Sequence, residues 1–178
     1  LAGYSSMGFL SVLLFVFVGA AITMVIQSSA ATFAIVMVMA VKGWIPFEMA
    51  CAIVLGSNIG TTITPILASF GANLTAKKAA LAHFMFNFFG SIWTVVFYYP
   101  FCALIVWVTK VMGQGDPTLP MAEFANPEQY AVAVSFGMSI FHTVFNLINL
   151  CVMIWIPGVY VKVCNTLIRS KNKDEEDF

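Results

Sequence analysis

Residues 9–41 read FLSVLLFVFVGAAITMVIQSSAATFAIVMVMAV, 33 residues without a charge and interrupted by the polar run Gln27-Ser28-Ser29. As helices, the arm before that run (10–26) would be about 26 Å long and the arm after it (30–41) about 18 Å. A hydrocarbon layer of about 30 Å needs ~20 apolar residues, so the second arm is short for a full crossing. Both lengths fit a helical hairpin over 9–41 that dips into the membrane and turns at Gln27–Ser29. The competing reading is one tilted helix with a tolerated polar turn.

The rest of the chain supports a membrane setting. Of its 178 residues 61% are hydrophobic and 9% charged, against about 25% charged in a typical soluble domain. No charged residue occurs from Leu1 to Val41, Met49 to Ala76, Ala79 to Thr109 or Gln129 to Val161. Each stretch is long enough for a membrane helix. The net charge is zero and no basic face is present, so nucleic acid is not an expected partner. Cys51, Cys102, Cys151 and Cys164 have no metal-ligand spacing and read as buried free thiols. Leu1–Ser6 lacks the basic start of a signal peptide, which suggests a cut through a longer protein.

Beyond the hairpin, Pro46–Phe70 is one crossing, but its centre is Gly56-Ser57-Asn58-Ile59-Gly60-Thr61-Thr62, followed by Pro65. Two glycines and five polar or helix-weak residues predict a helix over 46–70 broken near mid-membrane. Pro65 removes one more amide donor. A further helix is expected over 75–111, ending or kinking near Pro100, which completes a repeat over 1–112. An extracytoplasmic loop follows over 113–128, then a final membrane helix over 129–161 stopped at Pro157-Gly158. The polar tail 162–178 reads as a cytoplasmic tail or linker. With these crossings Lys77, Lys78, Lys162, Arg169, Lys171 and Lys173 share one face and Lys42 and Lys110 the other. The excess of basic residues makes the first face, and the C-terminus, cytoplasmic in a multi-pass cell (inner) membrane protein.

No acidic residue lies inside an apolar stretch, no serine has a base nearby in sequence, and the two histidines stand alone, so an enzyme is not expected. The two interruptions instead carry neutral ligands: Gln27, Ser28, Ser29 and Thr32 at one, Ser57, Asn58, Thr61, Thr62 and Thr64 at the other. Hydroxyl, amide and unwound carbonyl oxygens suit a small hard cation. A helix restarting after each break presents amide N–H groups that favour an anion. Secondary transporters use broken helices near the midplane in this way. Serine and threonine also mediate plain helix packing, which is the competing reading. His83 and Asn87, and His142 and Asn146, lie four apart on helical faces and read as interhelical hydrogen-bonding groups, or as supports for the broken helix.

Gln27-Ser28-Ser29-Ala30-Ala31-Thr32 resembles the QSSS element of the type II sodium/phosphate cotransporters and their bacterial relatives. Gly56-Ser57-Asn58-Ile59-Gly60-Thr61-Thr62 resembles the G-x-N-I-G-T-T element that follows it, and Lys77 to Asn87 is similar to the family's basic loop and H-x-x-x-N helix. The likeness covers roughly residues 10–95 and is closest to the family's second repeat; Ala30 stands where the usual third serine would be. The resemblance implies an all-α membrane protein forming one inverted-repeat half of a secondary transporter, with the hairpin, one discontinuous membrane helix and two further membrane helices. It implies sodium-coupled phosphate symport by alternating access. Phosphate would meet Gln27, Ser28, Ser29, Asn58, Thr61 and Thr62. Sodium, the co-transported ion, would meet Gln27, Ser28, Thr32, Ser57, Asn58 and Thr61. His83, Asn87, His142 and Asn146 would support them. The other half would come from a missing N-terminal repeat or a second copy of the chain. Transport of sulfate or a dicarboxylate, and a non-transporting scaffold or regulatory subunit, are the alternatives.

Overall fold

A computed structural model describes residues 8–168. Helix α1 (Phe9–Ile26) ends where Gln27 takes the left-handed conformation (φ 56°, ψ 27°) and donates its amide to the Thr23 carbonyl at 2.7 Å. Ser28 is extended and caps α2 (Ser29–Val41), its Oγ accepting the Ala31 amide at 3.2 Å. One residue thus closes a helix and the next opens another, so the turn needs only Gln27 and Ser28. The Thr23 hydroxyl donates to Thr32 Oγ1 across it at 2.9 Å, with both side chains fully buried. The 13 residues of α2 span about 20 Å.

Helix α3 (Phe47–Gly60) is buried along almost its whole length and packs against α1, α2 and two later helices, α5 and α7. Its polar motif does not unwind. Residues Gly56 to Gly60 stay helical, and the expected break shrinks to Thr61–Thr62, which keep right-handed backbone before α4 (Ile63–Ser69). The Thr61 amide still reaches the Ser57 carbonyl at 3.0 Å, and Ile66 reaches Thr62 at 3.2 Å. Pro65, without an N–H, leaves the Thr61 carbonyl unbonded in the ladder, which makes this a kink in a continuous path. The glycines serve another purpose. A Cβ on Gly56 would lie 1.9 Å from the Val16 carbonyl oxygen, and one on Gly19 would lie 2.0 Å from that of Ile53. Backbone lies on backbone here, and no side chain fits between α1 and α3. Numbers rise together along this contact, from Gly19 beside Ile53 to Thr23 beside Gly60, so α1 and α3 run parallel.

Helix α5 (Leu74–Val96) is capped by Asn73, whose Oδ1 accepts the Ala76 amide at 2.9 Å, and returns antiparallel to α3. The Tyr98 hydroxyl donates to the Glu48 carbonyl and fixes that register. The helix expected over 75–111 is two helices. Phe97 leaves helical geometry and α6 (Tyr98–Val111) starts afresh, with Pro100 in its first turn where a missing amide costs nothing. In the loop after α6, Asp116 pairs with Lys110 at 3.3 Å and accepts from the Thr118 amide at 3.0 Å. Partial burial works to raise the Asp116 carboxyl pKa, but the Thr118 and Lys110 hydrogen bonds outweigh it and hold the group below its ordinary range. Helix α7 (Pro127–Met153) opens with an Asn126 cap and Pro127 in its first turn. It stops at Met153, short of the expected 161. Pro157, which has no amide for the Met153 carbonyl, lies in the first turn of α8 (Pro157–Leu167), so residues 162–167 are helical; the tail beyond 168 lies outside the described residues.

The described residues are helical and irregular, with no strand. Four helical stretches are long and apolar enough to cross a membrane: α1, α3 with α4, α5 and α7. The protein is an all-α, multi-pass membrane protein. Aromatic rings of α5, α6 and α7 lock its second half, with Phe101 and Phe141 centroids 5.1 Å apart and Trp93 and Phe101 5.7 Å apart. Because the α1–α3 contact has no room for a methyl group, Gly56→Ala should destabilise the fold by about 1–3 kcal/mol. Thermal unfolding in detergent, compared with an exposed control such as Gly71→Ala, checks this.

Candidate functional site

The last turns of α1 pack against the end of α3. A Cβ on Gly60 would sit 2.5 Å from the Ala20 carbonyl oxygen and 2.7 Å from Thr23 Cβ. Thr23 in turn holds Thr32. The two polar motifs, 28 residues apart in the chain, are therefore joined through a residue that belongs to neither. Thr23 escaped the motif reading because it sits alone in an apolar helix. Its signal was symmetry: Thr23 and Thr32 stand equally far from the Gln27–Ser28 turn.

Each polar group has a defined state. Gln27 is exposed and Ser28 and Ser29 are half-buried, while Thr32 is fully buried. Thr32 Oγ1 donates to the Ser28 carbonyl at 3.1 Å. The amides of Ser29 and Ala30 lie in the first turn of α2, where no intrahelical acceptor exists. With the helix dipole behind them, they make the turn attractive to an anion.

Ser57, Asn58 and Thr62 are buried and Thr61 half-buried. All four donate backwards: Ser57 to the Val54 carbonyl at 2.7 Å, Asn58 Nδ2 to the same carbonyl at 3.3 Å, Thr61 to Ser57 at 2.8 Å and Thr62 to Ile59 at 2.7 Å. Back-bonding occupies the three hydroxyl hydrogens and one of the two on Asn58 Nδ2 and leaves oxygen lone pairs, so this part of the site offers mainly acceptors. The path stays right-handed through Thr61–Thr62, and α4 starts without a side-chain cap, whereas α2 starts from the extended, capping Ser28. No group of three or more His, Cys, Asp or Glu that could hold a metal ion occurs among the described residues. The site is neutral, with donors on one side and hard oxygen acceptors on the other.

The histidine–asparagine pairs behave differently from the expectation of interhelical bonds. Asn87 Nδ2 donates to the His83 carbonyl at 3.1 Å and Asn146 Nδ2 to the His142 carbonyl at 2.8 Å, both within their own helices. His83 is exposed and Asn87 buried; the His142 ring lies 5.7 Å from that of Phe33 on α2. The interhelical bonds come from other residues. Asn149 Nδ2 donates to the Phe86 carbonyl at 3.0 Å, and the Tyr130 hydroxyl to the Ala40 carbonyl at 3.2 Å. Cys51, Cys102 and Cys164 are buried free thiols as expected, whereas Cys151 is exposed on α7.

The family model described as Na+/Pi-cotransporter matches residues 9–106, which include both motifs and the kink. An uncharacterized protein, YqeW, of Bacillus subtilis is 30% identical over 86% of this chain and 43% of its own length. The putative inorganic phosphate export protein YjbB of Escherichia coli is 27% identical over 90% of this chain and 25% of its own length. Sodium-dependent phosphate transport protein 2C of Rattus norvegicus is 47% identical over 47% of this chain and 14% of its own length. The chain thus spans less than half the length of these relatives, and no solved structure matches it. With a match over more than half of its residues, the chain belongs to the Na+/Pi-cotransporter family.

Proposed function

We propose that this chain is one repeat of a transporter that moves inorganic phosphate across the membrane together with sodium ions. The observation that supports this reading is the presence of unlike ligands in one fold: an anion-favouring helix start at Ser28–Ala30 and a row of oxygen acceptors at Ser57–Thr62, linked through Thr23, which packs on Gly60 and bonds Thr32. Phosphate is assigned to Gln27, Ser28, Ser29, Asn58, Thr61 and Thr62. Sodium is assigned to Gln27, Ser28, Thr32, Ser57, Asn58 and Thr61. His83, Asn87, His142 and Asn146 are assigned to support the surrounding helices.

Charge explains why the cation is needed. No Lys or Arg occurs between Lys42 and Lys77, so the protein brings no positive side chain to the site from α3 or α4. Moving an unneutralised phosphate into a low-dielectric interior is prohibitively costly. A cation bound at the acceptor row removes much of that cost, and the sodium gradient then drives the anion. The left-handed Gln27 fits the same scheme. That conformation costs a non-glycine residue of order 1–3 kcal/mol, and it places the Gln27 side chain at the tip of the turn, exposed towards a facing partner.

One structural fact favours a re-entrant hairpin: the 13 residues of α2 span about 20 Å, too short to cross alone. The facing half would come from the missing N-terminal repeat or a second copy of this chain, and alternating access would arise as the halves rock about the site. The face holding Lys77 and the C-terminus is assigned to the cytoplasm by its basic residues. The relative named for phosphate export favours a second reading of direction, outward in place of inward, through the same site.

Full-length protein in proteoliposomes should take up labelled phosphate with a sodium gradient and not with potassium in its place. Sodium-independent phosphate flux would remove the coupling; transport of sulfate or a dicarboxylate in preference to phosphate would change the substrate, and absence of any flux from inserted protein would favour a scaffold. Ser28→Ala and Asn58→Ala should each lower the transport rate about 10–100-fold, the range expected for losing a hydrogen bond to a charged ligand. Normal transport by both variants would overturn the residue assignment. Gln27→Gly separates backbone from side chain: stability should stay within about 1 kcal/mol of the parent, since glycine accepts the left-handed turn, while transport falls.

A further inference from the structure

The two ends of the helix bundle carry opposite charge. At one end lie Glu48, Asp116, Glu123 and Glu128, with Lys42 and Lys110, where Tyr98 meets Glu48 and Tyr130 meets Ala40. At the other lie Lys77 and Lys78 in the first turns of α5 and Lys162 on α8, with no acid among the described residues. The only ion pair among the described residues, Lys110–Asp116, is at the acidic end. Helix α8 is tied to the basic end, its Cys164 thiol donating to the Lys78 carbonyl at 3.6 Å. Trp155, 85% exposed, stands just before α8, as expected of a ring at headgroup level.

Between α4 and α5 at this basic end runs a groove of about 330 Å³. Ile66 and Phe70 form one wall and Leu81 and Phe84 the other, Ile168 closes one end, and Lys77 lies along it as the one charged residue. An almost wholly apolar slot with an ammonium group at its rim matches a molecule with a hydrocarbon chain and a negative head. A bilayer supplies that molecule at high concentration, and basic clusters of this kind attract anionic headgroups. A free anion would have no use for the apolar walls. An uncharged lipid would have no use for the lysines.

We propose that the α4–α5 groove binds one anionic phospholipid, an acyl chain lying along Ile66, Phe70, Leu81 and Phe84 and the headgroup phosphate meeting Lys77 and Lys78. The site is distinct from the Gln27–Thr62 site and stands without it. Because α4 continues directly from the Thr61–Thr62 kink, a lipid wedged against α4 also braces the kink from the membrane side.

Native mass spectrometry of the full chain, purified in detergent and titrated with phosphatidylglycerol or phosphatidylcholine of the same acyl chains, tests this. The parent should retain one phosphatidylglycerol at least fivefold more than phosphatidylcholine. The double variant Lys77→Gln, Lys78→Gln should lose that preference. Leu81→Trp, which keeps both lysines but fills the groove, should lose the retained lipid, with unfolding temperatures confirming that each variant is folded. Inorganic phosphate at the same concentration should not displace the lipid. Equal retention of the two lipids by the parent, an unchanged preference in both variants, or displacement by inorganic phosphate would each overturn the proposal.

Discussion

The backbone contact between α1 and α3 is the constraint on which the rest of the arrangement depends. Gly19, Gly56 and Gly60 remove the side chains that would otherwise hold two apolar helices apart. In lipid, where apolar surface alone gives little reason for helices to associate, close packing of small residues is a principal source of attraction. The contact also sets the position of the α1–α2 turn. Because α1 rides parallel to α3 as far as Thr23 and Gly60, the Gln27–Ser28 turn follows one helical turn beyond that contact.

Around that contact the protein solves a second problem, the satisfaction of polar groups where water is scarce. Ser57, Asn58, Thr61 and Thr62 each bond back to a carbonyl of their own helix, so the buried motif costs little even without a ligand. Thr23 and Thr32 satisfy one another across the turn. These bonds occupy most of the donors of the second motif and leave acceptors, while the start of α2 leaves donors unconsumed. Neither motif carries an ionised side chain.

Periodicity and charge spacing made much of this legible. Long charge-free runs determined the membrane class, and a polar pair inside residues 9–41 located the first turn to within a residue. Residues 56–62 misled in one respect. Glycine is a poor helix former, and seven residues of that kind read as unwound backbone. Glycine at a helix crossing is instead a packing device, and only the partner, α1, shows which role it has. The stops of α5 at Val96 and α7 at Met153 are more local: each falls four residues before a proline, Pro100 and Pro157, which lacks the amide that the terminal carbonyl would accept.

By itself, then, the sequence determined what is local: an all-helical membrane chain and two neutral polar motifs, because composition and hydrophobic patterning act over short stretches. Only the tertiary structure decided that the second motif stays helical, that Thr23 joins it to the first, and that Asn149 and not Asn87 or Asn146 bonds across helices. Each of these depends on which face of one helix meets which face of another. A glycine or an amide has the same propensity whether its neighbour is lipid or a carbonyl of a distant helix, so the neighbour, not the residue, sets its role.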